Sequence, residues 1–170
     1  IEEKHSLWRD SLFGFSYIFS RLPLLGVLSV FLLTNFFAGF SQTLFAPMIL
    51  AKTNNNSVFL GIVQSSFGIG GIIGGLLMTV WGGTRKKIIS LLFGILLTGF
   101  GYICLGLSRN LPMFIFFVLL IAIMMVMSNA SSQAIWQSSV PINLQGRVFS
   151  ARRFIAQFIG IFPMALSGPL

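Results

Sequence analysis

After Arg21, charge appears only at Lys52, Arg85, Lys86, Lys87, Arg109, Arg147, Arg152 and Arg153, and all but one of the intervals between these clusters are apolar stretches of about 20 residues or more. A hydrocarbon core about 30 Å thick is crossed by about 20 residues of α-helix at 1.5 Å rise each, so each such interval is long enough to span it. The pattern predicts an all-α integral membrane chain with transmembrane helices at about 23 to 50, 57 to 81, 88 to 108, 112 to 138 and 150 to 168. The fifth either follows Arg153 or runs over it. Only 8% of the residues are charged, where a soluble domain needs about 25% to cover its surface. Mean hydropathy is +0.92. No short apolar stretch with a small-residue cleavage site follows Ile1, so no cleavable signal peptide is expected.

The glycines of "GIGGIIGGLLMTVWGGTRKK" raise a choice between a phosphate-cradling loop and a packed membrane helix. Gly68, Gly70 and Gly74 give G-x-G-x-x-x-G, which misses the dinucleotide spacing, and no Gly-Lys-Ser/Thr of a phosphate loop occurs. Helical spacing accounts for them instead. Gly70 with Gly74 and Gly71 with Gly75 stand four apart, the arrangement that lets a neighbouring helix approach closely in lipid. The stretch therefore reads as a membrane helix ending at the basic turn Arg85, Lys86 and Lys87.

Basic residues also set orientation. Across five spans Lys4, Arg9, Arg21, Arg85, Lys86, Lys87, Arg147, Arg152 and Arg153 fall on one side, and Lys52 and Arg109 on the other. The richer side is expected to face the cytoplasm, in a multi-pass protein of the cell (inner or plasma) membrane. The net charge of +8 is then no nucleic-acid signature, because the cations sit in short turns between buried helices rather than on one face. Their expected partner is the lipid bilayer, with its acidic headgroups. Ahead of the first span, Trp8, Leu12, Phe15, Phe19 and Leu22 recur at steps of four and three. Residues 1–22 therefore read as a cytoplasmic amphipathic segment, either an interfacial helix or a soluble linker helix, before a transmembrane bundle at 23–170.

Enzyme chemistry lacks its parts. The acids Glu2, Glu3 and Asp10 all precede the first span, His5 has no second ligand nearby, and Cys104 lies alone inside the third span. No nucleophile is paired with a base, and no metal site or cofactor is expected. Strong amides are more informative: Asn35 and Gln42 on the first span, seven apart and so about 20° apart around the helix, Gln64 on the second, Asn129 and Gln133 on the fourth, and Gln157 on the fifth. The third has none. A primary amide left unpartnered in hydrocarbon costs several kcal/mol, so these groups should face protein or a wet pathway for an amphipathic small molecule, with the third span as outer scaffold. The serines of "SNASSQ" fit either helix-packing glue or a substrate-facing wall, and Phe36, Phe37, Phe40 and Trp136 either pack or line the path.

Three stretches carry a family resemblance. "LWRDSLFGFSYIFSRLPLLGVL" resembles the central linker entering the seventh helix of a major facilitator superfamily transporter, "GGLLMTVWGGTRKK" its second loop motif, and "VPINLQGRVFSARRF" its turn from the tenth helix into the eleventh. The chain is similar to the carboxyl-terminal half of such a transporter, in the branch of bacterial macrolide-efflux and enterobactin-exporter proteins. The resemblance implies that the spans are helices seven to eleven of an alternating-access exporter. It also implies that the amino-terminal half of the same polypeptide is a partner, and that Arg85, Lys86, Lys87, Gly146, Arg147, Arg152 and Arg153 belong to cytoplasmic gate turns. Thr79 stands where the loop motif usually carries an acid, so its charge relay is not expected here. An importer of the same fold and a non-transporting membrane scaffold are the alternatives. With no Asp, Glu or His from Ser11 onward, the groups that couple transport to a proton gradient are expected outside this chain.

Overall fold

A computed structural model describes residues 16–83 and 86–167, with side chains as far as Phe158. The described elements are helical. After a turn of helix at 16–19 come α1 (Leu22–Lys52), α2 (Ser57–Trp81), α3 (Lys87–Leu107), α4 (Leu111–Ser139), a single 3-10 turn (Ile142–Leu144) and α5 (Gln145–Ser167). Helices α1 to α4 lie within two residues of the first four expected spans, and all four are long and apolar enough to cross a membrane. The fifth expected span is covered by a helix of different character. Helix α5 forms, but it starts at Gln145 rather than near residue 150 and is not among the candidate spans. Its first half holds Arg147, Arg152, Arg153 and Gln157, which dilute the apolar run below what the other four present.

Local chemistry explains the ends. Asn54 and Asn55 adopt left-handed backbone angles (φ 51° and 60°) in the turn between α1 and α2, a conformation that asparagine tolerates better than most residues. Asn56 then caps α2, its side-chain oxygen accepting from the Phe59 N–H at 3.0 Å. At the far end Gly82 closes α2 with φ 66°, and its N–H donates to the Met78 carbonyl at 2.9 Å. Lys87 Nζ donates to the Gly82 carbonyl at 2.7 Å, so one basic residue of the turn stabilises the carbonyl end of α2.

Two compact units emerge. One takes in the chain up to Thr43 and from Trp136 on, and the other is Leu44–Ile135. In the first, Ile18, Leu24 and Leu28 are buried with Trp136, Val140, Val148 and Ala151. In the second, Ile49, Val63, Leu105, Phe114, Val118 and Ile121 form the core, with the Phe59 ring edge-on to Phe114 at 5.4 Å.

Helix α4 is the hub of the second unit. A Cβ on Gly70 would stand 2.7 Å from Ala122 Cβ and 3.0 Å from the Leu119 carbonyl oxygen, and one on Gly74 would stand 3.0 Å from Ile123 Cα. Neither position admits a larger side chain without shifting α4 backbone. Because the contacts advance along both helices together, α2 and α4 run parallel. From the other flank, Gly94 of α3 abuts Met124 and Ser128, and Gly101 abuts Ile121, so α3 runs antiparallel to α4. Of the two glycine pairs in α2, Gly70 and Gly74 pack against α4 within this chain, whereas Gly71 and Gly75 meet nothing within 4 Å.

Candidate transport pathway

The amide-bearing helices place their polar groups in different settings. Asn35 is half-buried and donates through Nδ2 to the Phe31 carbonyl at 2.7 Å, while Asn129 is exposed and donates to the Met125 carbonyl at 2.8 Å. Each thus satisfies one donor on its own helix and keeps the side-chain carbonyl oxygen for another partner. Gln42, Gln64, Gln133 and Gln157 are exposed. These five exposed groups therefore lie outside the buried cores of the chain.

Helix register separates them further. Gly70 lies beside Leu119 and Ala122, and Phe59 beside Phe114, so Gln64 stands ten to fifteen residues short of Asn129 along α4, about 15–22 Å at 1.5 Å per residue. Gln64 therefore does not share a level of the bundle with Asn129 and Gln133. Within "SNASSQ" the two readings divide by residue. Ser131 and Ser132 are buried and Ser128 is half-buried against Gly94, its hydroxyl donating to the Met124 carbonyl at 2.9 Å, while Asn129 and Gln133 are exposed. Serines face the packed side and amides the open one.

Among the aromatics, Trp136 is 0% exposed, so it packs rather than lines a path. Phe36 meets Phe37 and Phe40 edge-on at 5.7 and 5.3 Å, and Phe37 stays exposed. Sequence reasoning missed a cluster built on Arg152. Its guanidinium lies 4.8 Å from the Phe31 ring centroid and 5.0 Å from that of Trp136, inside α5 and half-buried. Ring faces stabilise a cation withdrawn from water. The helix runs over Arg152, which stands about 10 Å from its start. An arginine seven positions into an otherwise lengthening apolar helix was the available signal. Arg153 and Gly146 are exposed, Arg147 is half-buried, Lys86 is exposed, and Arg85 lies outside the described residues, as do His5, Trp8, Leu12 and Phe15 of the amphipathic segment. The turn before α5 is tied by Gln145, whose Nε2 donates to the carbonyls of Gln137 (3.2 Å) and Val140 (3.1 Å). No group of His, Cys, Asp or Glu suited to a metal occurs among the described residues.

Four helices long and apolar enough to cross a membrane, three of them carrying amides at half-buried or exposed positions, suit an integral membrane protein. The chain belongs to the Major Facilitator Superfamily, whose family model matches residues 1–164. It is thus a membrane transporter of that superfamily, working in a lipid bilayer on a small-molecule substrate; members of the family are transporters, not enzymes. No curated protein and no solved structure matches the chain.

Proposed function

We propose that this chain is the carboxyl-terminal bundle of a secondary transporter that exports drug-like or siderophore-like molecules across the cell membrane by alternating access. In this reading residues 1–22 are the cytoplasmic linker, α1 to α5 are helices seven to eleven, and an amino-terminal half completes the pathway. The carrying observation is the pair Asn129 and Gln133, exposed amides on a helix whose serines are buried. An amide at membrane depth needs a wet or polar neighbour, and a pathway supplies one. Supporting it, α3 has no Asn or Gln at all.

Leucine at Asn35, Gln42, Asn129 or Gln133 in the full-length protein is expected to lower efflux of hydrogen-bonding substrates about 5- to 10-fold each, the equivalent of one lost hydrogen bond. Membrane abundance should stay near normal. Gln64 and Gln157 should respond less. Reduced abundance at unchanged specific activity would favour helix glue or a scaffold, and accumulation in intact cells would make the protein an importer.

Topology gives a second test. Thr84 to Lys87 should face the cytoplasm and Asn54 to Asn56 the outside, because basic residues collect on the inner side. With Cys104 replaced, a cysteine at Asn55 should react with an impermeant thiol reagent in intact cells and one at Thr84 should not. The opposite labelling reverses the orientation.

A further inference from the structure

One end of the second unit carries a cationic cavity that the transport reading leaves unused. It is an open recess of about 390 Å³ lined by Lys52, Thr53, Gly106, Leu107, Ser108, Arg109 and Phe114. Lys52, the last residue of α1, reaches across to the end of α3, where Nζ donates to the Gly106 carbonyl and to that of Ser108 (3.3 Å), with the Phe114 ring centroid 5.8 Å away. Two of its three N–H donors are thus used on helix-end carbonyls. The Thr53 and Ser108 hydroxyls donate to Ile49 and Cys104 carbonyls at 2.8 and 2.9 Å and so offer no proton to the cavity. Arg109 is exposed at its rim. Two cations share this small space, and every acid of the chain precedes Ser11. The charge calls for an anion from outside.

Helix α3 indicates which one. Ile89, Leu92, Phe93, Leu96, Phe100, Ile103 and Leu107 are all exposed, Leu107 by 71%, and at 100° per residue they fall within an arc of about 100°. The stripe runs about 27 Å along α3, close to the thickness of the hydrocarbon core, and ends at the cavity wall. We propose that Lys52 and Arg109 hold the phosphate of a membrane phospholipid, in the leaflet opposite the basic turns, with its acyl chains along the α3 stripe. Basic recesses between membrane helices bind lipid phosphates through charge-assisted hydrogen bonds, and apolar stripes of this length fit acyl chains. The leaflet assignment rests on the topology proposed above.

The test is native mass spectrometry of the intact transporter titrated with dioleoyl phosphatidylglycerol, with dioleoylglycerol as a phosphate-free control and glycerophosphate as a chain-free one. The phospholipid should bind, with both controls at least about tenfold weaker. Arg109→Gln should weaken it about tenfold, whereas Arg21→Gln, which removes a charge stacked on Tyr17 elsewhere, should leave it unchanged. Leu107→Asn, which spoils the stripe without touching a cation, should also weaken binding and keeps the proposal testable if Arg109→Gln fails to fold. Equal losses in Arg109→Gln and Arg21→Gln would overturn the site. Glycerophosphate binding as tightly as the phospholipid would make it a soluble-anion site and overturn the lipid assignment.

Discussion

Trp136→Ala should remove most of the protein from the membrane. The indole is wholly buried among Ile18, Leu24, Leu28, Val140, Val148 and Ala151, and it carries the Arg152 guanidinium on its face. Emptying such a site in a core typically costs about 3–5 kcal/mol, a large part of the 5–15 kcal/mol that keeps a domain folded. Here the loss is compounded, because the arginine keeps its charge while one of its two aromatic faces disappears. Fluorescence-detected size-exclusion of the tagged protein should show a collapsed monodisperse peak for Trp136→Ala and a preserved one for Trp136→Phe. Phenylalanine retains a ring for Arg152, and it removes an indole Nε1 that is buried with no hydrogen-bond partner among the described residues. An intact Trp136→Ala peak would show that the first unit is not held at this residue.

The second large effect separates two glycine pairs that look alike in sequence. Gly70→Leu and Gly74→Leu should each lower the midpoint of thermal aggregation sharply, because even a Cβ there stands within 3.0 Å of α4 atoms. Overpacking of a close contact costs about 1–3 kcal/mol for modest insertions and more for a branched side chain against backbone. Gly71→Ala and Gly75→Ala should be neutral or slightly stabilising, since alanine favours helix by about 1 kcal/mol over glycine and nothing stands within 4 Å. Similar losses at all four positions would mean that another surface covers Gly71 and Gly75.

These cases mark what the sequence discloses. The ends of α1 to α4 were legible because turn residues and charges punctuate apolar runs whose length the bilayer dictates: Lys52 before the asparagines, Gly82 and Gly83 before the basic turn, Pro112 after Arg109. The start of α5 was not. Whether that helix runs over Arg152 and Arg153 stays open in the sequence, because bare charge is costly at depth and the rings of Phe31 and Trp136 that shelter Arg152 are distant along the chain. Which glycine pair packs was illegible for a related reason. Both have the same four-residue spacing, and only the rotation of α2 against α4 distinguishes them. The amides were found by type alone, but their level along the bundle depended on a parallel register that no local pattern encodes. The cationic cavity was hidden because Lys52 and Arg109 come together only when α1 and α3 end at the same height.

The turn between α1 and α2 bears on how this chain enters a membrane at all. Thr53 to Asn56 is four residues long and uncharged, and its two left-handed asparagines reverse the chain without a longer loop. Two apolar helices joined so tightly can be threaded from the ribosome as one hairpin, the reversal passing through hydrocarbon only once. In the orientation proposed above Lys52 is the single charge that crosses with it, and a lysine at the bilayer centre costs about 3 kcal/mol on insertion scales. The flanking apolar helices offset that cost many times over, and once across, the ammonium is secured on the Gly106 and Ser108 carbonyls only when α3 has followed. The cation that is costliest to carry across is thus also the one that ties the end of α1 to the end of α3.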